Sequence, residues 1–95
     1  MIKHFVLFCA FDSTPQDKIQ EACNRLEALV GVVPGLVSLK AGIDIGVEGN
    51  FDFGLMAEFN DRDGLNTFSI DPDHLKVAEF IGEFRSDIAI LDLLF

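Results

Sequence analysis

Three ionisable residues, His4, His74 and Asp92, fall at positions where the apolar pattern of the chain predicts core. A polar group placed in a core needs a hydrogen-bonding partner. A His–Asp pair meets that need, and a carboxylate bonded to one ring nitrogen fixes the tautomer and orientation of the imidazole. This is the arrangement of a positioned general base, which takes a proton from an acidic C–H or O–H. In one reading His74, oriented by Asp92, is the base and His4 binds a carbonyl oxygen. In the competing reading all three are hydrogen-bonded structural residues: Asp92 caps a turn or pairs across a dimer, and His74 closes a capping arrangement with the Asp71 backbone.

No other motif carries comparable chemistry. The chain has no Gly-x-Gly-x-x-Gly, no Walker-type loop and no His-Glu-x-x-His. Ser13, Ser38, Ser69 and Ser86 lack a nucleophile-elbow context. Asp61, Asp63, Asp71 and Asp73 cluster around one helical region and read as helix caps and solvated charge rather than as a loose Mg²⁺ or Ca²⁺ site. No metal and no cofactor is implied.

The elements that must hold the trio follow from periodicity. Ile2–Phe11 reads as a strand with His4, Val6 and Phe8 on one face and Phe5, Leu7, Cys9 and Phe11 on the other. Both faces are apolar, so a central strand covered on both sides is expected. Pro15–Val33 reads as an amphipathic helix, with Ile19, Ala22, Cys23, Leu26, Leu29, Val30 and Val33 at 3-4 spacing. Ser13 or Thr14 is its expected cap, Pro15 its first residue, and Pro34-Gly35 its stop. Leu36–Ile45 and Phe51–Phe59 read as two further strands joined by a Gly/Asn turn, and the second of them alternates cleanly. Asn60 or Asp61 should cap a short helix over residues 62–70. Asp71-Pro72 should start another, running to Phe84 with His74, Val77, Ala78, Ile81 and Phe84 on one stripe. Ile88–Phe95 closes the chain as a strand, with Ile88, Ile90, Asp92 and Leu94 sharing a face.

The order β-α-β-β-α-β is the ferredoxin-like α+β plan, in one domain covering residues 1–95. Helices roof one sheet face. The other carries Phe5, Leu7, Cys9, Phe11, Ala89, Leu91, Leu93 and Phe95, and packing two such faces together predicts a homodimer. In the ferredoxin-like order the first and last strands are neighbours, which brings His4 near Asp92. Between helices and sheet, Phe8, Leu26, Phe53, Leu55, Phe68, Phe84 and Ile88 are expected to line a pocket for a small apolar or aromatic ligand.

Composition narrows the function classes. Apolar residues make up 49%, including ten Phe and no Trp or Tyr, which is rich for a lone small domain and again points to a partner subunit. The net charge of −9 repels phosphate backbones and anionic membranes, so neither nucleic acid nor membrane is an expected partner. Cys9 and Cys23 lack metal or redox spacing and read as buried free thiols, which suits the cytoplasm. Residues 1–11 lack the basic region and cleavage site of a signal peptide, and no run of 18 apolar residues exists.

At the level of short segments the chain resembles the stress-responsive α/β-barrel (Dabb) family. The carriers are Ile2-Lys3-His4-Phe5-Val6-Leu7-Phe8, Val33-Pro34-Gly35-Leu36, Phe51-Asp52-Phe53 with Ala57-Glu58-Phe59, Asp71-Pro72-Asp73-His74 and Ile90-Leu91-Asp92-Leu93. Together they span essentially the whole chain. The resemblance implies a dimeric α/β barrel. Some members of the family are plant stress-induced proteins. One is a polyketide cyclase that closes a ring by aldol condensation, using a Tyr and a His as acid–base pair with an Asp bonded to the His. By resemblance the His corresponds to His74, the Asp to Asp92, and a further pocket His to His4. The Tyr position falls on Phe68, which cannot exchange a proton, and the first His of the family's His-Pro-Ala-His segment is Asp71 here. The cyclase mechanism therefore does not carry over intact. Three functions follow as expectations: a pocket with acid–base (cyclase- or lyase-like) chemistry, a non-catalytic stress-related or ligand-binding dimer, and a monooxygenase-like dimeric barrel on fold analogy alone.

Overall fold

The chain runs β1 (Ile2–Ala10), α1 (Gln16–Glu27), β2 (Leu36–Ile43), β3 (Phe53–Phe59), α2 (Arg62–Ile70), α3 (Pro72–Gly82) and β4 (Arg85–Leu94) in the computed structural model, which describes residues 1–95. The strands form one sheet in the order β2-β3-β1-β4, and every neighbouring pair is antiparallel. This is the ferredoxin-like βαββαβ plan, with its second crossover split into α2 and α3.

One sheet face and the helices share the core. Period-two alternation puts Ile2, Val6 and Phe8 of β1 and Phe53, Leu55, Ala57 and Phe59 of β3 on that face, all buried. Against them α1 sets Ile19, Ala22, Cys23 and Leu26, α2 sets Phe68, and α3 sets Val77 and Ile81. Each large side chain so buried contributes roughly 1.5–3 kcal/mol.

Two caps hold the split crossover in place. The Asp61 carboxylate accepts the Gly64 N–H at 2.9 Å, and the Asp71 carboxylate accepts the Asp73 N–H at 2.8 Å. Pro72 then opens α3 where its missing N–H costs nothing.

Several boundaries differ from the periodic reading. Helix α1 ends at Glu27 rather than Val33, because Gly31 takes a left-handed backbone (φ +85°) and residues 28–34 become turns. Leu29 and Val33 are nonetheless buried, so the apolar spacing outlasts the helix. Pro15 occupies the N-cap itself with no side-chain bond, and neither Ser13 nor Thr14 caps the helix. Strand β2 ends two residues before Ile45 and β3 begins two after Phe51. Between them the Asp44 carboxylate gathers Gly46 N–H, Val47 N–H and the Asn50 amide at 2.9–3.0 Å and closes the loop on itself. Strand β4 starts at Arg85 rather than Ile88, since β1 still offers Ala10 as a backbone partner there.

Within one chain β1 is central but covered on one face only. On the other, Leu7, Met56 and Leu91 are 44%, 45% and 56% exposed. The edge strand β4 is exposed along its whole length. Cys23 is buried but Cys9, on the open face, is only half-buried, and both thiols are free.

Candidate functional site

Strand register makes the central contact. In the β1–β4 ladder His4 stands directly opposite Asp92, and His4 Nδ1 lies 2.5 Å from Asp92 Oδ1. The His4 side chain is 12% exposed and that of Asp92 40%. A carboxylate can only accept, so Nδ1 is the donor, and in the neutral ring Nε2 carries the lone pair.

His74 comes from the first turn of α3. Its ring stacks on Phe68 with centroids 4.1 Å apart, and the His4 ring meets the same Phe68 edge-on at 6.2 Å. Nδ1 of His74 is sealed from solvent without a hydrogen bond of good geometry. Burial pushes its pKa below the ordinary histidine value and the neighbouring His4 pushes the same way. The Ser69 and Phe68 carbonyls and the Asp71 charge oppose the shift without cancelling it. The neutral ring is therefore the favoured form of His74 at pH 7.

Both rings open into a cavity of about 270 Å³ between the helices and the β1–β4 side of the sheet. Its apolar wall includes Val6, Phe8, Leu26, Leu55, Phe68, Ile81, Ile88 and Ile90, with Ser69 and Arg85 as further polar groups. Of the residues expected from sequence, His4, His74, Phe8, Leu26, Leu55, Phe68 and Ile88 line it. Asp92 lies outside, lining a surface depression with Ile2 and Leu65, and reaches the cavity through His4. Phe53 and Phe84 do not line it. Phe53 stacks on Phe8 at 4.7 Å and tilts against Phe84 at 6.0 Å, so the two rings fill that end of the core. The carboxylate bonds His4, its expected neighbour across the two strands, and not His74, which it was expected to orient. Ile81 and Ile90 were legible as cavity residues from their stripes. Arg85 carried no signal, because it precedes the apolar run that marks the last strand.

The family model of the stress responsive A/B barrel domain, Dabb, matches residues 2–95. The chain belongs to the Dabb family. No curated protein sequence matches it. Among solved structures, a dimeric ferredoxin-like protein of unknown function from Thermobifida fusca is similar at 26% identity and a TM-score of 0.89, with 99% of this chain and 90% of that one covered. A dimeric protein of ferredoxin-like fold from Bacteroides fragilis is similar at 21% identity and a TM-score of 0.84, covering 99% and 95%. The hydroxynitrile lyase of Passiflora edulis shares the fold at 18% identity and a TM-score of 0.85, covering 99% and 92%. No helix of this Dabb chain is long and apolar enough to cross a membrane.

Proposed function

We propose that this Dabb protein is a homodimer whose cavity binds a small apolar carbonyl compound and performs general acid–base chemistry on it. The observation that carries the reading is the His4–Asp92 bond, which leaves His4 Nε2 as a base at the wall of an apolar cavity. Because Asp92 holds His4, the two histidines exchange the roles expected from sequence. His4 takes the proton from the carbon beside the carbonyl. The C–H electron pair moves onto the carbonyl oxygen, and neutral His74, in the tautomer that holds its one proton on Nε2, donates a hydrogen bond to that oxygen. The proton then returns from the imidazolium to carbon. The dimeric relatives and the exposed row on the open sheet face support the homodimer, and two free thiols fit a reducing compartment such as the cytoplasm.

A second reading, binding without chemistry, is favoured by Phe68, which sits beside both imidazoles with no hydroxyl to relay a proton. One experiment separates the two. Acetophenone is incubated with the protein in D₂O, and exchange of its methyl protons is followed by NMR. Acid–base function predicts exchange faster than in an equal concentration of free imidazole. His4→Gln should abolish the excess and Asp92→Asn should reduce it at least about tenfold. Cavity-specific shifts without excess exchange would establish the binding reading instead.

A further inference from the structure

Apart from its two histidines, the cavity wall contains one ionisable residue, Arg85. Acidic residues outnumber basic ones by 16 to 7 in this chain, and what sets Arg85 apart from the other basic residues is its place on the cavity wall. Arg25 pairs with Glu21 and Lys18 with Glu83, while the exposed Arg85, like Lys3, Lys40, Arg62 and Lys76, makes no ion pair, so its guanidinium is free for a ligand. No Asp or Glu lines the cavity. A guanidinium presents a rigid fork of donors matched to a carboxylate, and at the edge of an apolar cavity such a pair is worth more than in open water.

The register also sets where this cation stands. Arg85 pairs with Ala10 and Asp92 with His4, six residues apart along β1. That separates the guanidinium end from the imidazole end by ~20 Å of strand, before the side chains reach inward. The intervening wall is Phe8, Ile88, Val6 and Ile90. One end of the cavity is thus cationic, the middle apolar, and the other end carries the two histidines.

We infer that the cavity takes a medium-chain monocarboxylate, its carboxylate seated on Arg85 and its chain running along β1 and β4 toward His4. The inference rests on the cavity being a ligand site, as in the proposed function, and adds the anchoring group of the ligand and the residue that selects it. The carbonyl on which His4 acts then belongs at the far end of such a chain, and a saturated carboxylate reports binding alone. The net charge of −9 opposes any anion, so the selectivity has to be local to the guanidinium.

The test is calorimetric titration of the purified protein with octanoate and, separately, with 1-octanol, which has the same chain and no charge. Wild type should bind octanoate at least about tenfold more tightly, the worth of one charge-assisted hydrogen-bonding contact. Arg85→Gln should erase that preference by weakening octanoate alone. Ala78→Trp, which fills the cavity from an exposed helix position, should weaken both ligands. Equal affinities in wild type with a silent Arg85→Gln would overturn the monocarboxylate inference and leave the cavity reading standing. Binding indifferent to Ala78→Trp, or no binding of either compound, would remove both.

Discussion

Placing a charge at Leu91 should split the dimer while leaving the subunit folded. Leu91 stands across β1 from Phe5, and Phe5 in turn stands across from Met56, so the three form one row over the open sheet face. In the single chain Leu91 is 56% exposed. Full burial of a leucine is worth roughly 1.5–3 kcal/mol, so covering the exposed part contributes about 1–1.5 kcal/mol per subunit. A twofold interface uses the residue twice, for about 2–3 kcal/mol per dimer. Leu91→Asp forfeits that term and leaves a carboxylate in the contact, at a further cost of about 1–3 kcal/mol per subunit. The sum is about 4 kcal/mol or more, which at about 1.4 kcal/mol per decade weakens association roughly a thousandfold. Sedimentation velocity at micromolar concentration should then show a dimer for wild type and a 10.5 kDa subunit for the variant, with matching far-UV circular dichroism. A Leu91→Asp protein that sediments as a dimer of unchanged affinity would refute the assignment of this face. A wild-type protein that stays single at the same concentration would refute the homodimer itself.

Two further outcomes follow from the same structure. The pKa of His74 is held below its ordinary value of about 6.5, so between the two values the unfolded chain binds a proton that the folded chain refuses. Stability therefore falls as pH drops through about 6.5 toward the folded-state value, and urea midpoints measured from pH 7.5 to 5 should decline less steeply in His74→Gln. Identical slopes would mean that folding does not disturb this imidazole. Gly35 has φ +87°, and a Cβ there would meet the Gly64 Cα at 2.9 Å. Gly35→Ala should cost about 1–2 kcal/mol for the left-handed backbone and about 1–3 kcal/mol for crowding α2. A loss below about 1 kcal/mol in urea unfolding would show that the loop moves aside.

Much of the architecture is local in origin and was readable as such. Alternation at period two marks β1 and β3, 3-4 spacing marks α1 and α3, and Asp71-Pro72 announces the break between α2 and α3. The end of α1 was hidden because Leu29 and Val33 keep helical spacing while packing from turns. The first residues of β4 were hidden because backbone pairing with Ala10 needs no apolar side chain.

The site divides along the same line. Residue type and pattern alone placed His4 and His74 toward the helical side among apolar neighbours, and strand order placed Asp92 near His4, while the position of Asp92 outside the cavity was decided by packing. Which histidine receives the carboxylate was settled by a ladder between positions 88 residues apart, where a shift of one residue would have turned Asp92 to the opposite face. The withdrawal of Phe53 and Phe84 into the core and the arrival of Arg85 at the cavity were likewise decided by packing. Periodicity encodes the direction in which a side chain leaves its own element. The distance to a neighbour on another element depends on how the layers close, and that exists only in the folded chain.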